Sequence, residues 1–279
     1  MEDESFRQIL QFFSLSWAGY RKVRKAVKKR LVRHMAECGC RKVGDYLLFL
    51  KKDPAAIQEA RRLLTVSISR FFRDRRLWDV LGQHVIPKLI READLADPGM
   101  VRVWSAGCSC GEEVYSWRML WERARTRFSV MPSIEVWATD ANPETLEKAR
   151  VGVYPRSSVK GLPSLLMQDY FVPVLNGFAI PNALKDGIHW MKHDFVFESP
   201  PGIAFDLIFL RNNLLTYYGE TVKRRAFLQV LEALRAGGFI VLGNNEQIPT
   251  EDVPLRCCLE CRCIFKKGLD VETDGTFND

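Results

Sequence analysis

No stretch of the 279-residue chain approaches the ~20 consecutive apolar residues that cross a bilayer. A secretory signal is lacking as well, because the start MEDESF is acidic and the apolar patch from Leu10 to Trp17 is broken by polar residues. These two absences predict a cytoplasmic protein with no direct membrane insertion. Internal repeats and low-complexity tracts are absent, which leaves an ordinary globular composition. The paired C-x-x-C spacing of zinc knuckles is also missing. The eight cysteines fall at Cys38/Cys40, Cys108/Cys110 and Cys257/Cys258/Cys261/Cys263, and Leu259, Ile264 and Phe265 around the last group suggest a terminal strand. They are read as reduced structural thiols, with no metal site.

Acidic residues are scarce in one place. Of the 41 Lys and Arg, 15 lie within the first 62 residues, where only 7 of the 34 Asp and Glu are found. Such asymmetry points to an acidic partner for the N-terminal segment. The clearest amphipathic helix, residues 20–35, recurs in Tyr20, Val23, Val27, Leu31 and Met35 on one side. Its other faces carry eight cations within thirteen positions: Arg21, Lys22, Arg24, Lys25, Lys28, Lys29, Arg30 and Arg33. A charge run is often only a solvated face, but one without an acidic neighbour exceeds what solubility needs, so partner docking is favoured here. Further helices are expected over 44–50 and 54–64, making 1–62 a small all-α domain ahead of a second domain, 63–279.

The dinucleotide fingerprint is absent too. Val101 to Tyr115, VRVWSAGCSCGEEVY, reads as strand, tight turn and helix, but its glycines Gly107 and Gly111 are spaced G-x-x-x-G. The acidic pair Glu112 and Glu113 at the helix start would repel a pyrophosphate, so a cationic or zwitterionic ligand fits better. A helix from Glu112 to about Arg125 leads to a strand over 134–139 that ends at Asp140, with Asn142 as N-cap and Pro143 as first helical residue. Asp140 suits either a ribose diol or the capping of its own turn. Strands follow over 188–193, before Asp194, and over 204–210, where AFDLIFL is apolar enough to be buried on both faces of a parallel sheet. The second ends in Arg211, Asn212 and Asn213. Helix 220–234, an Ala236-Gly237-Gly238 turn and strand 239–242 complete a βαβ order. In Leu63 to Asp74, LLTVSISRFFRD, Arg73 is either a surface charge above two core phenylalanines or a side chain that they anchor for use.

With LLTVSISRFFRD, VWSAGCSCGEEVYS, WATDANPETLEKARVGVY, DYF at 169–171, FDLIFLRNNL and the glycine turn before strand 239–242 in this order, the chain resembles the CheR-type chemoreceptor methyltransferases. The resemblance spans nearly the whole chain. It implies a class I Rossmann-like α/β domain with a mixed seven-stranded sheet, S-adenosylmethionine as cofactor and S-adenosylhomocysteine as product. It also implies methyl transfer to glutamates on the acidic helical cytoplasmic domain of a chemoreceptor or similar signalling protein. By that resemblance Ser67, Ser69, Arg73, Ala106, Gly107, Glu113, Asp140, Asp194, Phe195, Arg211 and Asn212 contact the cofactor. Glu113 would meet the methionine ammonium, Asp140 the ribose hydroxyls, Asp194 and Phe195 the adenine, and Arg73 the methionine carboxylate beside the transfer site. Arg21, Arg24, Lys25, Lys28 and Lys29 would dock the partner.

The chain departs from the family pattern at several positions. Ser67 and Ser69 stand for Asn and Thr, Cys110 for Thr and Val114 for Pro. In the R-N-V-x-I-Y-F motif Asn213 replaces Val and Thr216 the transfer-site tyrosine, which leaves Arg73, Tyr217 and Thr216 as the catalytic candidates. Two other readings remain open: a weakened family member that binds the cofactor as a sensor or scaffold, and a nucleic-acid methyltransferase. The latter lacks both an Asn/Asp-Pro-Pro-aromatic motif and an aromatic-rich basic groove, so no nucleic-acid partner is expected.

Overall fold

The computed structural model describes residues 1–67, 69–94 and 99–268. Ile68 of the LLTVSISRFFRD motif and residues 269–279 of the expected second domain lie outside the described residues.

The basic segment is all helix: α1 (Asp3–Phe12), α2 (Trp17–Tyr20), α3 (Arg24–Glu37), α4 (Val43–Lys52) and α5 (Pro54–Leu64). Phe6, Ile9, Leu10, Tyr20, Val27, Leu31, Tyr46, Leu50 and Ala60 close its core. Asp53 caps α5 by accepting from the backbone N–H groups of Ala55 and Ala56 at 2.9 and 3.0 Å, with Pro54 in the first turn. Two differences from the sequence reading stand out. Helix α1 was not anticipated, although Phe6, Ile9, Leu10 and Phe13 have i, i+3, i+4, i+7 spacing. The expected 20–35 helix is broken at 21–23, where buried Tyr20 ends α2 and donates its hydroxyl to the carbonyl of Leu64 at 2.8 Å.

The rest is an α/β domain. Helices α6 (Arg75–Val80) and α7 (Ile86–Asp94), joined through a π turn, lead into β1 (Met100–Ala106), α8 (Glu112–Ala124), β2 (Ser133–Asp140) and α9 (Pro143–Val151). An excursion then forms β3 (Val153–Tyr154), α10 (Ser164–Tyr170), β4 (Val172–Val174) and β5 (Gly177–Ala179), a three-stranded sheet that the sequence did not announce. The main sheet resumes with β6 (Ile188–Lys192), β7 (Phe205–Leu210), α11 (Leu214–Tyr217), α12 (Glu220–Glu232), β8 (Leu234–Leu242) and the hairpin β9 (Leu255–Cys258) and β10 (Cys261–Lys267).

Its seven strands run β6-β2-β1-β7-β8-β10-β9. The first five are parallel and β10 opposes both neighbours, which is the mixed seven-stranded sheet that the resemblance implies. Along β1, Val101 and Val103 enter the core on one face, with Trp117, Trp121 and Phe209. Trp104 and Ala106 enter the other, with Phe205, Phe227 and Leu231. The sheet is thus buried on both sides, as the apolar run at 204–210 requires.

Ala236, Gly237 and Gly238 are not a turn before β8 but part of it, at a register shift against β7. Gly237 has φ +75°, and a Cβ on Gly238 would lie 3.0 Å from the Arg235 carbonyl and 3.1 Å from that of Asp206. Glycine here marks a bulge and a close backbone approach. The last cysteine cluster lies on the hairpin rather than on a single strand, Cys258 being paired across it with Cys261. Chain order reverses between β1 and β7. In open α/β sheets that point, at the carboxyl ends of the strands, is where ligands bind.

Candidate cofactor site

At this edge the segment before α6 meets the end of β7. Phe71 is buried against Tyr154 and Phe171, with ring centroids 4.8 and 5.0 Å away, and Phe72 packs on Trp78 at 5.4 Å. Phe72 and Asp74 are left-handed, φ +49° and +64°, a strained geometry for residues other than glycine. Hydrogen bonds hold the turn. Phe72 N donates to Ser116 Oγ at 2.9 Å, and Trp78 Nε1 to the Arg73 carbonyl at 2.8 Å. Arg73 therefore projects from an anchored turn, and its guanidinium donates to Asn212 Oδ1 at 3.3 Å. Phe71 is core, Phe72 is partly buried against it, and the arginine points to the end of β7.

Arg211 joins three elements. Its Nη1 donates to Glu113 Oε2 at 2.9 Å and its Nη2 to Asp74 Oδ2 at 2.7 Å, while Ser105 donates to Glu113 Oε1 at 2.8 Å. Glu113 is thus fixed from β1 and β7 at once. Its neighbour Glu112 is buried, and burial raises its carboxyl above the usual range; Ser69 and Ser158 hydrogen-bond it and pull the other way. Ser69 consequently lies against Glu112, and Ser67 is exposed.

The glycines act differently from expectation. A Cβ on Gly107 would lie 2.4 Å from Asn213 Nδ2 and 3.2 Å from the Phe195 ring. The room it leaves is occupied by the Asn213 amide, which donates to the Ala106 carbonyl at 2.6 Å. Gly111, φ +86°, lies against Ala149 and Trp190 and starts α8.

Asp140 accepts from Ser109 N and Asn142 N, each at 2.9 Å, and from the Thr145 hydroxyl at 3.3 Å. It therefore caps its own turn and also pins the glycine loop to β2. Burial raises its carboxyl despite these donors, and the neighbouring Asp194 adds to the rise. Asp194, raised by burial as well, accepts from Val196 N at 3.1 Å. The loop also holds Ser109 Oγ buried with no hydrogen-bond partner.

At the far end of the cleft, Thr216 donates its hydroxyl to Glu246 Oε1 at 2.6 Å. Tyr217 packs edge-on against Tyr20 of the helical segment, centroids 5.1 Å apart. Burial raises its phenol, Arg73 opposes the rise and Glu246 reinforces it, so both charges lie within electrostatic reach of the hydroxyl. The helical segment closes on this point. Ser16 N donates to the Tyr217 carbonyl at 2.8 Å, and a Cβ on Gly19 would come within 2.1 Å of the Thr216 carbonyl.

The structure thus gathers Arg73, Ala106, Gly107, Glu113, Asp140, Asp194, Phe195, Arg211, Asn212, Thr216 and Tyr217 at one sheet edge, with Ser69 on Glu112 and Ser67 at the surface. Ser105, Asp74, Ser109 and Glu246 were not singled out from the sequence, and Asn213 was noted only as a polar strand-end residue and a departure from the family motif. Asp74 directly follows Arg73, and Glu246 follows a strand end as Asp140 and Arg211 do, a signal that could have found both. On α3, Arg24 and Lys28 are ion-paired with Asp3, and Arg30 donates to the Thr65 carbonyl at 3.1 Å. Arg21, Lys22, Lys25, Lys29 and Arg33 are exposed.

Residues 67–261 match the model of the CheR methyltransferase SAM-binding domain. The chain belongs to the CheR methyltransferase family. It is 33% identical to a chemotaxis protein methyltransferase of Listeria monocytogenes over 80% of this chain and 81% of that one. It is 29% identical to a chemotaxis protein methyltransferase of Klebsiella aerogenes over 88% and 84%, respectively. Another relative, chemotaxis protein methyltransferase 1 of Pseudomonas aeruginosa, is 28% identical over 80% and 81%. The cofactor of this family member is S-adenosylmethionine, and the site suits it. Carboxylates at Glu113, Asp140 and Asp194 match a sulfonium, an ammonium and a diol, and the Arg73 guanidinium matches a carboxylate.

Proposed function

We propose that this protein transfers the methyl group of S-adenosylmethionine to glutamate carboxylates of a chemoreceptor-like protein. The observation that carries the reading is the assembly of Arg73, Glu113 and Asp140 at the switch point of a CheR-type sheet. The sulfonium supplies an activated methyl when the cofactor is bound. A glutamate with pKa about 4.3 is already ionised at neutral pH, so the chain needs no general base. Its work is to align the acceptor and exclude water. Glu113, held by Ser105 and Arg211, takes the ammonium end; Arg73, on its anchored turn, the carboxylate; and Asp140 the ribose hydroxyls. Asp194 and Phe195 flank the adenine. Asp140→Ala is expected to weaken S-adenosylhomocysteine binding about ten- to a hundredfold, for the loss of charge-assisted hydrogen bonds of ~1.5–3 kcal/mol. Calorimetry on the folded variant checks this, and unchanged affinity would remove Asp140 from the site.

The division into a recognition domain, 1–62, and a transfer domain, 63–279, belongs to the same proposal, as does a cytoplasmic location. Among the described residues no helix is long and apolar enough to cross a membrane. The cations of α3 and the preceding turn dock the acidic helical receptor domain. Arg24 and Lys28 already serve Asp3, so the contact falls mainly to Arg21, Lys25 and Lys29. Reversing these three to Glu is expected to abolish receptor association in a pull-down while leaving cofactor affinity alone; receptor binding of usual strength and salt dependence would end the docking idea. A second reading, a cofactor-binding sensor or scaffold, is favoured by one observation. Thr216, at the family's tyrosine position, has its hydroxyl committed to Glu246.

A further inference from the structure

Glu246 lies beyond the end of β8, where its N–H donates to the Gly243 carbonyl at 2.9 Å and closes a turn. From that turn its carboxylate collects three donors from two loops. Oε2 accepts from Gly243 N at 2.7 Å and from Asn212 N at 2.9 Å, and Oε1 accepts from the Thr216 hydroxyl at 2.6 Å. The space is shaped for it, since a Cβ on Gly243 would lie 2.7 Å from Glu246 Oε2 and 3.0 Å from Asn212 Oδ1. Asn212 is left-handed, φ +55°, a conformation that asparagine adopts more readily than other non-glycine residues and that bonds to its backbone hold in place. The Glu246 bond to Asn212 N is one such constraint, and Asn212 Oδ1 in turn accepts from Arg73 Nη2 at 3.3 Å.

We propose that Glu246 is a positioning residue of the cofactor site, holding Asn212 in its left-handed turn so that the Asn212 side chain orients the Arg73 guanidinium. One carboxylate thereby ties the loop after β8 to the loop after β7 and, through Asn212, to the turn before α6. Its bond to Thr216 gives that residue a role different from the tyrosine it replaces: a strut of the cleft wall. The proposal rests on the reading of Arg73 and Asn212 as cofactor contacts.

The test is a double-mutant cycle read by S-adenosylhomocysteine calorimetry, with thermal unfolding followed in parallel. Glu246→Ala is expected to weaken binding about tenfold, the size of one lost oriented hydrogen bond to a charged group. Glu246→Gln keeps an acceptor for both backbone N–H groups and is expected to remain within about threefold of the natural protein. Glu246→Asp is one methylene too short to span both loops, so it should behave like the alanine variant and serves if the latter fails to fold. In an Arg73→Ala background, Glu246→Ala should cost clearly less than in the natural protein, because the part of its effect that passes through Arg73 is already lost and only the part that passes through Asn212 itself remains. Losses that add, or an aspartate variant with natural affinity, would overturn the proposal, as would a glutamine variant as weak as alanine. The failure of the underlying reading looks different: either the natural protein does not bind S-adenosylhomocysteine, or Arg73→Ala alone leaves its affinity intact.

Discussion

Arg211→Met is expected to destabilise the protein by about 3–5 kcal/mol and to abolish S-adenosylhomocysteine binding. The Arg211 side chain is 3% exposed, and the carboxylates it joins, Glu113 and Asp74, are 16% and 26% exposed. Methionine fills much of the volume but leaves two partly buried negative charges facing each other with no cation between them. Removing one partner of such a cluster is costlier than never having built it, because the desolvation of the remaining charges is no longer offset. The left-handed Asp74 would also lose the bond that secures it, and the turn carrying Arg73 would loosen. Denaturant unfolding and calorimetry together measure both effects. Adding Glu113→Gln removes one stranded charge, so the double variant should regain part of the stability and none of the binding. A single variant within about 1 kcal/mol of the natural protein, with unchanged affinity, would show that the cluster neither supports nor shapes the site.

Much of this site was legible before the structure, for a physical reason. Strand ends announce themselves by a switch from apolar to polar or turn residues, so the Gly107 turn, Asp140 and Arg211 could be placed at one sheet edge from pattern alone. Family resemblance then supplied their chemistry. What could not be read was pairing. The sequence contains Glu113 and Arg211, ninety-eight positions apart, yet nothing in either neighbourhood says that they meet. The close approach of the Asn213 amide to Gly107 is likewise visible only once β1 and β7 are adjacent. The three-stranded excursion escaped because its strands span only two or three residues each, too short for a period to show. The Ala236-Gly237-Gly238 turn was misplaced because bulge glycines and turn glycines look alike in a sequence.

Tyr217→Phe is expected to slow methyl transfer roughly a hundredfold, the scale of losing one group that aligns reactants, while leaving S-adenosylhomocysteine affinity nearly unchanged. Of the two hydroxyl residues at the transfer end, Thr216 is committed to Glu246 and its backbone is pressed against Gly19. Tyr217 is held by its ring against Tyr20, and its phenol feels Arg73 and Glu246. Burial raises that phenol above its ordinary value, so at neutral pH it is protonated and serves as a donor. Donating to the non-attacking oxygen of an incoming glutamate would leave the other oxygen free for in-line attack on the methyl. The ring's seat on Tyr20 also joins this donor to the helical segment proposed to dock the receptor, so that recognition and alignment would meet at one contact. The product of the proposed transfer would be a carboxyl methyl ester, so alkaline treatment of labelled receptor would release volatile methanol and count turnovers directly. Full activity in Tyr217→Phe would return the role to Thr216 or to no hydroxyl at all. If the natural protein binds cofactor yet places no base-labile methyl on any receptor of its organism, the sensor or scaffold reading replaces the enzyme.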